Sequence, residues 1–86
     1  MSETIAASDQ FVQSLARGLS VIRAFDAEHV QMTLSDVSRR TGLTRATARR
    51  FLLTLVELGY VRTDGRSFEL TALVLQLGYS YLAGQS

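Results

Sequence analysis

The stretch that most constrains this chain is residues 33–60, where two short helical patterns flank one tight turn. Thr33 and Thr44 each precede a pattern, as N-cap residues do. Gly42 and Gly59 each follow one, at the position where glycine supplies the left-handed conformation that ends a helix. Two helices joined by so short a turn are typical of a helix-turn-helix, whose second helix enters a DNA groove.

Positive charge is concentrated in the same stretch. The chain has a net charge of +1, and all nine of its basic residues are arginine. Residues 35–50 hold five arginines and one acid, a charge of +4, whereas the other residues hold four arginines and seven acids, a charge of −3. A charged run is usually a solvated helix face, but beside a helix-turn-helix pattern it indicates an electrostatic footprint for nucleic acid.

The two helices are predicted at about residues 34–40 and 45–58, each with one apolar side. Leu34 and Val37 face inward from the first helix, and Leu43 fills the corner between the two. The predicted inward stripe of the second helix is Ala48, Phe51, Leu52, Leu55 and Leu58. Its opposite side carries Ala46, Arg49, Arg50, Leu53 and Glu57, with Arg45 and Thr47 on the shoulders.

Three further elements complete the predicted fold. A first helix, capped by Ser14 and running to about Phe25, has a stripe of Leu15, Leu19, Ile22 and Phe25 that we expect in the core. Residues 26–32 are predicted to be a polar connector. Asp64-Gly65 is a strong hairpin signal between strands at 60–63 and 67–70, and this hairpin would be the wing. A last helix, capped by Thr71 and spanning about 72–82, has two apolar faces, one for its own domain and one for a partner chain or further domain.

The predicted fold class is therefore mainly α: a winged helix-turn-helix with a three-helix core and a two-stranded β-wing, followed by a linker helix. All 86 residues form one domain. We predict a flexible N-terminal arm over 1–12, the winged helix over 14–70, and a linker or dimerisation helix over 71–83.

Several function classes are disfavoured by composition. There is no cysteine, and the single histidine, His29, fits a surface loop better than a metal site, so no metal or cofactor is predicted. No pairing of residues suits acid–base chemistry and no glycine-rich phosphate loop occurs, so we expect no enzyme. The sequence has neither a signal peptide nor an apolar run long enough to span a membrane, which fits an intracellular location.

The ordered set of matches at residues 14–19, 33–38, 41–52 and 58–61 resembles the N-terminal winged helix of IclR-type bacterial transcription regulators. The resemblance covers about residues 12–83. Residues 49–52 and 68–71 look most like the branch that controls aromatic-acid catabolism through the β-ketoadipate route. Ala46 departs from the family's usual serine or threonine, so a hydroxyl contact to phosphate is not carried over there. Members of the family often have a proline where this chain has Ala72. The resemblance implies a small-molecule effector that acts only through a C-terminal domain absent from this sequence.

Sequence-specific binding of double-stranded operator DNA is the predicted function, with the second helix in the major groove. Arg49 or Arg50 is the best candidate for a bidentate contact to guanine, and Ala46 could touch a thymine methyl. Thr44 and Thr47 suit phosphate oxygens at the helix N-terminus, and Arg66 would reach a flanking phosphate or the minor groove. The full predicted set is Thr44, Arg45, Thr47, Arg49, Arg50, Arg66, Arg39 and Arg40, of which the last two are either backbone clamps or solvated.

A homodimer is also predicted, because two half-sites give tighter specific binding than one small domain. The predicted dimer contacts are Phe11, Leu75, Tyr79 and Leu82. The alternative function is a winged helix used for dimerisation or protein interaction without DNA binding. Such a module would not require arginines on the outer face of its second helix.

Overall fold

Four helices and a three-stranded antiparallel sheet make up residues 9–85, the part of the chain that the computed structural model describes. The elements are α1 (Gln13–Arg23), β1 (Met32–Thr33), α2 (Leu34–Thr41), α3 (Arg45–Leu58), β2 (Val61–Thr63), β3 (Ser67–Leu70) and α4 (Val74–Ala83). The winged helix-turn-helix is confirmed. Residues 1–8 of the predicted N-terminal arm lie outside the described residues.

The helix pair has the caps that the sequence predicts. The Thr33 hydroxyl accepts a hydrogen bond from the Asp36 amide at 3.2 Å, and the Asp36 carboxylate accepts one from the Thr33 amide at 3.0 Å, which closes a capping box. Gly42 ends α2 with φ 79°. Thr44 caps α3, and Gly59 ends α3 with φ 94°. Only glycine adopts such angles readily, so the length and direction of both helices are fixed locally.

Helix α1 differs from its prediction at both ends. It begins at Gln13, with the Val12 carbonyl accepting the first amides and no side-chain cap, so Ser14 is not the N-cap. It stops at Arg23, and Leu15 and Leu19 are 63% and 50% exposed, so their assignment to the core was wrong. Helical spacing identifies an apolar face but not its neighbours: of the predicted stripe Ile22 and Phe25 do pack in the core, and Val21, outside the stripe, is fully buried.

The sheet contains a strand that the sequence did not predict. β1 pairs antiparallel with β3, with Met32 opposite Phe68, and the strand order is β1-β3-β2. The two-stranded wing is therefore a three-stranded sheet, and Met32 belongs to the core instead of a polar connector. A strand of two residues is too short to show the alternation by which strands are detected.

One core joins the helices to the sheet. Leu34 and Leu43 pack against it, as predicted, but Leu58 is exposed and Val56 packs there in its place. The buried residues are Val21, Ala24, Phe25, Met32, Val37, Ala48, Leu52, Leu55, Val61 and Phe68.

Helix α4 also departs from its prediction. It begins at Val74 after Leu73, because the Thr71 hydroxyl donates to the Gly59 carbonyl at 2.6 Å and accepts the Leu73 amide at 3.2 Å, which holds a turn at residues 71–73. No residue of α4 is buried. The predicted packing of one α4 face on its own domain is thus limited to the half-buried Leu73 and Val74.

Candidate nucleic-acid interface

The first turn of α3 presents hydroxyl groups and free amides together. The Thr44 hydroxyl accepts the Thr47 amide at 3.2 Å and donates to the Thr47 hydroxyl at 3.0 Å. The hydroxyl hydrogen of Thr47 is therefore still available to an acceptor. The remaining first-turn amides add partial positive charge, so an anion is favoured at this helix end.

Three arginines on α3 are exposed and available for binding. Arg45, Arg49 and Arg50 have no hydrogen-bond or ion-pair partner among residues 9–85. The opposite side of α3 is fixed in the core by Ala48 and Leu52, which are fully buried. A rigid helix thus holds three unpaired guanidinium groups toward solvent, and each offers planar donors suited to phosphates or guanine.

Arg39 and Arg40, by contrast, already bind carboxylates. Arg39 pairs with Asp36 at 2.6 Å within α2 and remains largely exposed. Arg40 donates to the Ala24 carbonyl at 3.0 Å and to Asp26 at 3.1 Å, which ties α2 to the end of α1. Arg40 is therefore neither simply solvated nor free for a ligand.

His29 belongs to the same structural network as Arg40. Its Nδ1 lies 2.9 Å from a carboxylate oxygen of Asp26, and its Nε2 lies 3.3 Å from an Arg40 nitrogen. The His29 hydrogen bond is the main reason that the pKa of Asp26 is lowered. Within residues 9–85, no group of three or more His, Cys, Asp or Glu side chains is arranged to hold a metal ion.

The wing tip is built around Asp64. Its carboxylate accepts the amides of Arg66 and Ser67, both at 2.8 Å, and Gly65 adopts φ 95° between them. These backbone hydrogen bonds lower the pKa of Asp64. The Arg66 side chain is exposed beside this tip and has no partner in the described part of the chain.

Arg62, the other arginine of the wing, is paired. It donates to Glu69 on the neighbouring strand, and Glu69 also accepts from Gln31 at 2.6 Å. These two contacts, led by Gln31, lower the pKa of Glu69. The strand arginine of the wing is thus paired with a carboxylate, whereas the arginine at the wing tip is unpaired within residues 9–85.

The prediction from the sequence did not include one basic residue that lies near α3. Arg17 of α1 lines a cleft with Arg50 of α3, although the two are 33 positions apart. The prediction treated α1 as scaffold, and the sequence contains no direct signal for this contact. Only the crossing of α1 and α3 brings the two arginines together.

A helix-turn-helix, a β-wing and an unpaired basic helix face define the class of winged helix-turn-helix DNA-binding domains. Among residues 9–85, no helix is both long and apolar enough to cross a lipid bilayer.

Comparison with known proteins gives the family. The family model "IclR helix-turn-helix domain" matches residues 14–65, more than half of the chain. The chain therefore belongs to the IclR helix-turn-helix family, and the predicted resemblance is confirmed.

Relatives and solved structures agree with this assignment. The chain is 48% identical over 73 residues to the Pca regulon regulatory protein of Pseudomonas putida, covering 85% of this chain and 25% of that protein. It is 42% identical over 82 residues to the p-hydroxybenzoate hydroxylase transcriptional activator of Acinetobacter baylyi, covering 95% and 30%. A crystal structure of a Rhodococcus sp. RHA1 protein described as a transcriptional regulator is 71% identical, with a TM-score of 0.82, covering 88% and 30%. All three are described as regulators of transcription or of a regulon, and this chain spans under a third of each.

Proposed function

We propose that this domain binds operator DNA sequence-specifically and that α3 enters the major groove. The observation that carries this function is the unpaired state of Arg45, Arg49 and Arg50 on the exposed side of a helix whose other side is buried. Phosphate contacts would supply most of the affinity and base contacts the selectivity. Family membership supports this function, and no contact within residues 9–85 favours a module limited to protein interaction.

Each side chain at the interface has a proposed role. Arg49 or Arg50 makes a bidentate contact to guanine O6 and N7, and Ala46 contacts a thymine methyl. Thr44 and Thr47 bind phosphate oxygens at the N-terminus of α3. Arg45 also faces the major groove, Arg66 at the wing tip reaches a flanking phosphate or the minor groove, and Arg39 contacts the backbone. Arg40 is left out of this set, because its guanidinium already holds α2 against α1.

A homodimer is the second part of the proposal. Leu75, Tyr79 and Leu82 of α4 are 70%, 66% and 63% exposed, and Phe11 ahead of α1 is also exposed. Burying these side chains against a second copy would remove apolar surface from water and place two α3 helices on two half-sites. Sedimentation at increasing concentration tests this association. A monomer at every concentration would contradict it.

The physiological context is proposed from the relatives. The names of the Pseudomonas and Acinetobacter regulators support a role in controlling aromatic-acid catabolism. A small-molecule effector bound by a further domain would control the DNA binding. DNA as the partner supports a cytoplasmic location at the nucleoid.

Selection of bound duplexes from a random pool with the 86-residue chain tests sequence-specific binding. We expect enrichment of a shared short motif by the wild type and a weaker motif with Arg49→Ala. Arg23→Ala is the matched control, because Arg23 is exposed on α1 and has no partner in the described residues. Binding that enriches no motif would contradict sequence-specific recognition.

A further inference from the structure

A cleft of about 230 Å³ lies between α1 and α3. A Cβ placed on Gly18 of α1 would lie 3.8 Å from the Phe51 ring of α3, so the two helices are close beside it. The cleft is lined by Ser14 and Arg17 from α1 and by Thr47, Arg50, Phe51 and Thr54 from α3.

The polar groups of the cleft are mostly unused donors. Arg17, Arg50 and the Ser14 hydroxyl have no partner among residues 9–85. The Thr47 hydroxyl accepts from Thr44 and keeps its own hydrogen. The Thr54 hydroxyl, by contrast, already donates a hydrogen bond to the Arg50 carbonyl at 2.9 Å. A cleft that offers several donors is suited to a ligand that accepts hydrogen bonds at several oxygens.

The charge of the cleft also indicates an anion. Two arginines line it and no acidic residue does. Arg39, Arg40 and Arg62 of the same chain each have a carboxylate partner, whereas the two arginines of this cleft have none among residues 9–85. Two like charges that share a small space repel each other until an anion lies between them. A phosphate group fits this arrangement, because the guanidinium donors match phosphate oxygens.

We propose that Arg17 and Arg50 bind one backbone phosphate of the duplex from two different helices. This inference rests on the proposed function, because Thr47 and Arg50 belong to the side of α3 that would face the DNA. A phosphate held between α1 and α3 fixes the depth and angle at which α3 enters the groove. Arg50 is then a backbone contact and Arg49 is the reader of guanine, which separates the two arginines that the sequence left equivalent.

Arg17→Ala tests the contact on a duplex that the wild type selects. We expect the affinity to fall about tenfold or more, the slope of log affinity against log salt to decrease by about one, and the preferred sequence to be unchanged. Arg23→Ala, on the same helix, should bind like the wild type. Urea unfolding of both variants checks that neither loses the fold.

A neutral backbone identifies the phosphate itself. Methylphosphonates are placed one at a time along the duplex, and the affinities of the wild type and Arg17→Ala are compared at each position. We expect one position at which the methylphosphonate lowers the affinity of the wild type but hardly changes that of Arg17→Ala. The affinity of Arg50→Ala should likewise be nearly unaffected by the modification at that position.

The outcomes separate this inference from the function on which it rests. If the wild type binds a selected duplex and Arg17→Ala binds it equally well, the shared phosphate is excluded and DNA binding stands. An equal loss for wild type and variant at every modified position would also exclude it. If the wild type binds no duplex even at low salt, the proposed function itself is wrong.

Discussion

Helices α3 and α4 differ mainly in what surrounds them. Both are rich in apolar residues. Thr44 caps α3 and its inner side is buried, whereas α4 begins without a side-chain cap at Leu73 and buries no residue. The arginines of α3 are therefore presented from a fixed backbone. The exposed side chains of α4 are mostly apolar, so we propose that α3 contacts nucleic acid and that α4 contacts a second protein chain.

The largest expected difference between the two helices is in stability. Leu52→Ala removes a fully buried side chain of α3 and should lower the free energy of unfolding by about 2–5 kcal/mol. Leu77→Ala, on exposed α4, should change it by less than about 0.5 kcal/mol. Urea unfolding at low protein concentration measures both. Similar losses in the two variants would mean that α4 packs on its own domain after all.

DNA binding should divide the helices in the same way. Arg49→Ala should weaken binding by about 1–3 kcal/mol and relax the preference at one base position. Tyr79→Ala of α4 should leave the preferred half-site sequence unchanged, because Tyr79 does not reach a base in the proposed complex. Titration of labelled duplexes with single base substitutions measures both. A changed base preference in Tyr79→Ala, with none in Arg49→Ala, would reverse the assignment.

The cap on α3 should have a smaller effect. Thr44→Ala removes the hydroxyl that accepts the Thr47 amide and should cost about 1 kcal/mol of unfolding free energy. Ser80→Ala of α4 removes a hydroxyl that bonds only to the exposed Gln76 carbonyl, and we expect a smaller change. If Thr44→Ala were neutral in urea unfolding, the start of α3 would not depend on its cap.

Acid should destabilise the capped helix pair. The Thr33 amide hydrogen bond holds the pKa of Asp36 below its ordinary value of 3.8. The stabilisation is therefore fully present above that ordinary pKa and is lost as the pH falls through the folded pKa. Asp36→Asn should reduce the pH dependence of the urea midpoint in this range. Asp26, Asp64 and Glu69 have lowered pKa values too, so the comparison with wild type isolates the Asp36 share. An identical pH profile in Asp36→Asn would contradict the capping-box contribution.

Local chemistry made much of the fold predictable. The caps at Thr33 and Thr44 and the turns at Gly42, Gly59 and Gly65 depend on residues a few positions apart, and the structure has all of them. Helical spacing also predicted which side of α3 is exposed, and the structure confirms that prediction.

Most of the errors concern contacts between distant segments, although Ser14 and Thr71 were also wrong as helix caps. Leu15, Leu19 and Leu58 have helical spacing and are exposed, because the sequence does not say which face meets a neighbour. β1 depends on pairing with β3, over thirty positions away. The contact set of α3 is still a prediction, and the position of Arg17 beside Arg50 could not be found from spacing, since it depends on how α1 crosses α3.

The most direct test of this division between α3 and α4 compares the backbone NMR resonances of the 86-residue chain free and bound to a selected duplex, at one protein concentration. We predict that the largest chemical-shift changes occur at residues 44–50 and at Arg66 and Arg17. Binding that leaves those resonances in place and moves only residues 74–83 would contradict the assignment of α3 to DNA.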